Sequence, residues 1–374
     1  MAKKRILLAT PTMHGEEMKY IQEAFDTNWI APLGKNVDCF EKEICEHIGV
    51  GAAAALSSCT AALHLALKLC GLRPGEPVLC SDLTFSATVN PVSYERGLQV
   101  FIDSEYESWN MDPAALEKAF EKYPEARIVI VANLYGTPAR LDELRAICDR
   151  HGAVLIEDAA ESLSATYRGR QTGTFGTYNA ISFNGNKIIT SSGGGMLLSD
   201  DAAAVAKARF WATQAKDDAP YYQHSEIGYN YRMSNVVAGI GRGQLLHLEE
   251  HRMLKKRLYE RYCAAFADLP LQMNPYYSCS EPNFWLSCIL VHKDCKVHPW
   301  SVMEELAKNG IESRPIWKPM HMQPVFAHCD FIKIGEQSVG EDIFARGLCL
   351  PSDIKMTKEE QDEVIKVVRA CFEG

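Results

Sequence analysis

Residues 128–161 run Ile128-Val-Ile-Val-Ala132, then Leu141-Asp-Glu-Leu-Arg-Ala-Ile-Cys-Asp-Arg-His151, then Val154-Leu-Ile-Glu157-Asp158-Ala-Ala-Glu161. An unbroken apolar run, a helical period and a second apolar run make one strand–helix–strand unit. Strands apolar on both faces suit a parallel sheet covered on both sides. The alternation continues outward from this unit. Further strands are expected at Ala53–Leu56, Val78–Cys80, Val100–Asp103, Ala180–Phe183 and Gly195–Leu198, with helices at Thr60–Leu72, Phe85–Arg96 and Pro113–Lys122. With Ile128–Ala132 and Val154–Glu157 they predict an α/β fold with seven strands in one mostly parallel sheet.

After Asp201-Ala-Ala-Ala a helix runs to about Thr213, and Asp217 to Arg232 is polar and aromatic without a period. A loop of that length inside a compact protein is commonly functional or disordered. A helical pattern from Ser234 to about Leu269 then leads out of the large unit. The remainder offers a strand at Phe284–Val291, a helix at Trp300–Asn309, a strand at Ile311–Pro315 and an amphipathic helix at Lys358–Phe372. The expected division is a large domain at 1–248 and a small α+β domain at 249–374.

Composition narrows the function. Of 374 residues, 47% are hydrophobic and 23% charged, values of an ordinary globular chain. A net charge of −9 provides no basic field for nucleic acid or an anionic membrane, so a phosphate-bearing ligand needs local donors. The apolar stretch Ile6 to Ala9 stops at Thr10-Pro11, short of the roughly 7–15 residues of a signal-peptide core. No apolar run approaches the roughly 18–20 residues of a membrane span. Thirteen cysteines, an odd number without a C-x-x-C pair, read as reduced core thiols of a cytoplasmic protein.

Three stations carry chemistry. The first, Leu56-Ser-Ser-Cys-Thr-Ala-Ala-Leu-His, is a strand end running into a helix. Its free backbone N–H groups, helped by Ser57, Ser58 and Thr60, can seat a phosphate; plain N-capping is the competing reading. The second places Glu157, Asp158 and Glu161 at the carboxyl end of a strand, where open α/β sheets bind ligands. The third, Ile181-Ser-Phe-Asn-Gly-Asn-Lys187-Ile-Ile-Thr-Ser-Ser-Gly-Gly-Gly-Met, holds a lysine between apolar neighbours, where partial desolvation makes an amine a better nucleophile. Gly193–Gly195 lacks G-x-G-x-x-G and precedes a strand, so it is not a nucleotide loop.

In this order, with Thr84-Phe85 and Gly228-Tyr-Asn230-Tyr-Arg-Met-Ser-Asn, these motifs resemble the DegT/DnrJ/EryC1/StrS sugar aminotransferases, pyridoxal-phosphate enzymes of fold type I. The resemblance runs from Asn28-Trp-Ile-Ala-Pro-Leu-Gly34 to Arg314-Pro-Ile-Trp-Lys-Pro-Met-His321 and Leu350-Pro-Ser352. It is nearest to the enzymes that aminate C4 of UDP-4-keto-6-deoxy-N-acetylglucosamine in bacillosamine-type biosynthesis.

The resemblance implies a role for each residue. Lys187 bonds pyridoxal 5'-phosphate and moves the proton. Asp158 pairs with the pyridine nitrogen, and Phe85 stacks on the ring. Cys59, Thr60 and Ser182 hold the phosphate, with Asn230 reaching it from a second subunit of a homodimer. Glu161 lies near the phenolic oxygen and the substrate. Many relatives carry Gln or His at that place, and a carboxylate there must be protonated or displaced. The nitrogen passes from L-glutamate through pyridoxamine 5'-phosphate to a nucleotide-linked keto sugar. Trp29, Arg232, Arg314, Lys318 and His321 are its candidate binders, with Arg242 and Lys255–Arg257 behind them. GDP-4-keto-6-deoxymannose and a dTDP-keto sugar are alternative acceptors.

Two readings from other classes compete. His247-Leu-Glu-Glu-His251 has the H-x-x-E-H order of a zinc peptidase, but its charged flanks read as a solvated helix face, and no metal is expected. A non-catalytic regulatory relative would tolerate loss of Lys187 or Asp158, and both are present.

Overall fold

The computed structural model describes residues 5–373. Its main sheet contains β1 (Ala52–Leu56), β2 (Pro77–Ser81), β3 (Leu98–Ile102), β4 (Ile128–Ala132), β5 (Val154–Asp158), β6 (Tyr178–Ser182) and β7 (Gly195–Ser199). All seven expected strands are present, and an eighth, absent from the sequence reading, joins at the edge. Strands β8 (Leu271–Met273), β9 (Ser287–Val291), β10 (Arg314–Pro315), β11 (Asp330–Ile332) and β12 (Gly347–Leu350) follow in the chain. β11 pairs in parallel with β3 and completes the order β1-β7-β6-β5-β4-β2-β3-β11. Three residues without a flanking helical crossover give β11 no periodic signal.

Every pairing in this sheet is parallel except those of β7, which runs antiparallel to β1 and β6. No helix separates β6 from β7, so the chain turns straight back, as an antiparallel neighbour permits. The returning loop carries Lys187 over the carboxyl ends of β5 and β6.

β4 shows why a continuous apolar run was the informative signal. Ile128 and Ile130 pack with Leu63, Leu67 and Ile156 on one face. Val129 and Val131 pack with Leu116, Leu144 and Leu155 on the other. Each fully buried aliphatic side chain contributes about 1.5–3 kcal/mol. The second sheet, β8-β9-β12-β10, is antiparallel and packs on the helices Pro299–Lys308 and Lys358–Glu373. Ile6 joins that core and bridges Ile311, so the segment around Ile6 packs in the same unit as the helix Lys358–Glu373.

The expected continuous helix over 234–269 is two helices, Asn235–Leu245 and Leu248–Ala265, broken at an exposed Leu246 and His247. The first lies close against neighbouring helices: a Cβ at Gly241 would stand 2.5 Å from the Phe40 ring. The second turns away to bury Tyr259 and Tyr262 with the small sheet, so one straight axis cannot serve both contacts.

Candidate active site

At the carboxyl ends of the central strands lies a cavity of about 320 Å³, lined by residues of all three stations. Its floor is the first turn of the helix Cys59–Leu69. Ser58 caps that helix, its Oγ accepting the Ala61 N–H at 3.1 Å. The Cys59 and Thr60 amides have no intrahelical acceptor and carry the positive end of the helix dipole. β7 starts directly against this turn because residue 195 is glycine: a Cβ there would lie 2.2 Å from the Cys59 nitrogen. Ser182, at the end of β6, lines the same cavity. Burial pushes the Cys59 thiol well up, so it stays a thiol and leaves anion binding to its backbone.

Asp158 is the last residue of β5 and is buried. It accepts hydrogen bonds from Thr88 Oγ1 at 2.7 Å and the Ala160 N–H at 3.0 Å, with Cys59 Sγ at 3.9 Å. Burial raises its pKa, and none of these contacting groups is a cation. A protonated ring nitrogen would supply the missing positive charge.

Glu161 lies one turn beyond. Its Oε2 accepts the Tyr135 N–H at 2.7 Å and its Oε1 stands 3.3 Å from Lys187 Nζ. Burial pushes its carboxyl up to about 7, against the opposing pull of Lys187. The departure at this position thereby has a physical resolution, since the carboxyl can be neutral near physiological pH. A raised carboxyl pKa favours the folded state at low pH, and that advantage is lost as pH climbs from the ordinary 4.5 through about 7. In cofactor-free protein, Glu161→Gln should therefore gain stability over wild type across that window, by roughly 3 kcal/mol at the alkaline end. Paired melting curves between pH 5 and 8 check this; a pH-independent difference would show that Glu161 does not titrate there.

Aromatic rings from the second half of the chain close the cavity. Lys187 Nζ lies 4.1 Å from the centroid of Trp285, whose Nε1–H donates to the Asn186 carbonyl at 2.7 Å. Trp317 and Phe85 form another wall, with centroids 5.3 Å apart. Trp317 is fixed by its own N–H, which donates to the Tyr135 hydroxyl. Trp285, Thr88 and Tyr135 were missed in the sequence, and an apolar residue near a strand carries no signal that separates lining from core. Trp317 lay inside the stretch that was singled out, where the charged neighbours drew the assignment.

The structure places those charged neighbours outside the lining of this cavity. Arg232 is buried and bonds Glu41 Oε1 at 2.9 Å and the Ala55 carbonyl at 3.1 Å, so its guanidinium braces β1. His321 bonds Asp82 at 2.7 Å and Glu341 at 3.1 Å and stacks on Phe331. Burial opposes its protonation, but the two carboxylates win and hold its pKa above the ordinary value. Arg314 is exposed, pairs with Glu312 at 2.7 Å, and lines a different groove. Lys318 does not line the cavity. Arg242 is held by Glu43 and Asn36. Lys255 is buried on the carbonyls of Trp285 and Ser352. Within one chain, Trp29 lines a separate surface groove, and Asn230, exposed and bridged to Thr213, lies outside the cavity. None of His247, Glu250 and His251 lines the cavity, which removes the support for a peptidase centre there.

An amine, a buried carboxylate in need of a cation, and a helix N-terminus thus converge on one cavity, and this donor set fits pyridoxal phosphate. Lys187 would anchor it, Asp158 would face its ring nitrogen, and the Cys59–Thr60 turn with Ser182 would take its phosphate. When bound, the cofactor supplies the electron sink and carries the nitrogen.

Comparison with known proteins identifies the family. The model of the DegT/DnrJ/EryC1/StrS aminotransferase family matches residues 11–369. The EpsN protein of Bacillus subtilis is 48% identical over 99% of this chain and 96% of its own length. GDP-perosamine synthase of Caulobacter vibrioides is 36% identical over 96% of each. The crystal structure of a DegT DnrJ EryC1 StrS aminotransferase from Brucella abortus superposes with a TM-score of 0.88 at 26% identity, covering 96% of each chain. With the family model spanning nearly the whole chain, the chain belongs to the DegT/DnrJ/EryC1/StrS family and is a pyridoxal phosphate-dependent sugar aminotransferase.

Proposed function

We propose that the enzyme moves an amino group from L-glutamate to the C4 ketone of UDP-4-keto-6-deoxy-N-acetylglucosamine. The observation that carries this reading is the contrast within the cavity: Lys187, Glu161 and Asp158 at one end, and the apolar rings of Phe85, Trp285 and Trp317 around it. The rings exclude water and offer a surface to the deoxy and acetyl methyl groups of such a sugar. Lys187 Nζ takes and returns the proton of the reacting carbon, while Glu161 Oε1, 3.3 Å away, holds the proton that the amine gives up. The Tyr135 N–H fixes the other oxygen of Glu161, and Trp285 covers the amine.

Lys187 is the only cation among the described residues that line the cavity. A sugar diphosphate must therefore find its donors elsewhere, and a second copy of the chain is the nearest source. Exposed apolar side chains support a homodimer: Trp29, Ile30 and Leu33 in one segment, and Tyr222 and Ile227, each at least 80% exposed, in the long loop before Asn230. Asn230 would reach the partner's phosphate site from that loop. Light scattering at the mass of a single chain would count against this assembly. Among the described residues no helix is long and apolar enough to cross a membrane, and a cytoplasmic enzyme is proposed.

Similarity to GDP-perosamine synthases of three organisms, at 30–36% identity, favours GDP-4-keto-6-deoxymannose as the second reading. A half-reaction assay separates the two. Enzyme treated with L-glutamate and freed of it should lose the cofactor's visible band, and the UDP sugar should restore the band within one turnover. Restoration by the GDP sugar alone would move the assignment to the second reading, and restoration by neither would remove both.

A further inference from the structure

The helix Leu248–Ala265 and the segment leading into the helix Glu16–Asp26 meet in a histidine cluster whose members do not line the amino-transfer cavity. The rings of His14 and His247 stack with centroids 3.6 Å apart and planes within 5°. His14 Nε2 lies 2.7 Å from His251 Nε2, and His251 Nδ1 lies 2.7 Å from the Ile188 carbonyl. His247 stands between two carboxylates, with Nδ1 2.9 Å from Glu250 Oε2 and Nε2 3.3 Å from Glu16 Oε2. That Nε2 is sealed from solvent yet lacks the geometry of a hydrogen bond.

Counting protons decides which lone pairs are free. A carbonyl only accepts, so His251 Nδ1 carries the proton that goes to Ile188. In the neutral ring the other nitrogen, Nε2, is then the acceptor. His14 therefore donates from Nε2, and in its neutral form the bare lone pair of His14 is on Nδ1. A metal-bound imidazole commonly gives its remaining N–H to a carbonyl, carboxylate or similar acceptor. Both rings have such an acceptor in place, His251 for His14 and Glu16 for His247. One ligating atom from each of His14, His247 and Glu250 lies within 4.8 Å of the others, and Glu250 is exposed, which opens the cluster to solvent.

We propose that His14, His247 and Glu250 bind one divalent transition-metal ion of the Zn²⁺ class, at a site separate from the transamination centre. Stacked rings aim their lone pairs along parallel planes, so His14 turns out of the stack on binding, and the ion takes the place of the proton that His247 Nδ1 shares with Glu250. His247 then directs Nε2–H to Glu16, which resolves its unpartnered nitrogen. Two imidazoles and one carboxylate are an N/O donor set suited to Zn²⁺, with water completing the coordination. H-x-x-E-H supplies only two of these ligands; the third arrives from a residue more than two hundred positions earlier.

Chelator-treated holoenzyme titrated with ZnCl₂ in a calorimeter tests the site. One saturable ion per chain is expected, weakened at least about tenfold by His14→Ala and by His247→Ala. Glu250→Gln, at an exposed position, should do the same and decides the matter if a histidine variant fails to fold. Co²⁺ in place of Zn²⁺ reads the donors: a spectrum without thiolate charge transfer supports the cluster, whereas a thiolate band would assign the ion to a cysteine and overturn the proposal. Absence of saturable binding, or wild-type affinity in Glu250→Gln, overturns it as well.

Discussion

Lys187→Ala is expected to abolish turnover, with a loss of at least about 10⁴-fold, and to remove the cofactor's visible band. Positioned proton transfer alone accounts for about 10²–10⁴-fold, and the same amine also anchors the cofactor. The loss should not reflect unfolding. Lys187 lies in the irregular loop between β6 and β7, and its side-chain hydrogen-bond partner is Glu161. Without the cation, burial, with the Asp158 charge beside it, outweighs the Tyr135 N–H and favours the neutral form of Glu161, which a buried site tolerates. Circular dichroism and the melting temperature of the cofactor-free variant should match wild type. Turnover within tenfold of wild type would remove Lys187 from the mechanism.

Asp158→Asn should separate catalysis from stability. The substitution preserves shape, and Thr88 can reverse its hydrogen bond to meet the new amide, while the remaining oxygen still accepts the Ala160 N–H. The negative charge that would face the ring nitrogen is lost, and removing one preorganised electrostatic group commonly costs about 10²–10³-fold in rate. In cofactor-free protein the effect reverses. Burial raises the Asp158 pKa, so the ionised side chain is a burden on the empty fold that asparagine lifts. The variant should melt at or above the wild-type temperature while turning over far more slowly and holding its cofactor less tightly. An equal fall in both would indicate a purely structural residue.

The helix N-terminus, the acid-ended strand and the lysine loop were legible because each is local. An apolar run fixes a strand, a hydroxyl before a small-residue helix fixes a cap, and strand order carries the ends of β1, β5 and β6 to one edge. The charged candidates for substrate binding were not legible in that way. Arg232 and His321 have the right chemistry for a diphosphate, but their guanidinium and imidazole groups are taken by Glu41, Asp82 and Glu341, partners 191, 239 and 20 positions away. A cation in a sequence gives no sign of whether its counter-ion is a ligand or a neighbour.

The sequence by itself determined the strand–helix alternation, the family and the candidate set Lys187, Asp158, Cys59, Thr60 and Ser182 that lines one cavity, since periodicity and motif order reside in consecutive residues. Only the tertiary structure decided that β11 completes the sheet, that Trp285 covers the amine while Trp317 walls the cavity, and that His14 meets His247 and His251. Each of these joins residues far apart in the chain. Which distant side chains become neighbours is settled by how helices and sheets pack, and a one-dimensional pattern does not carry that information.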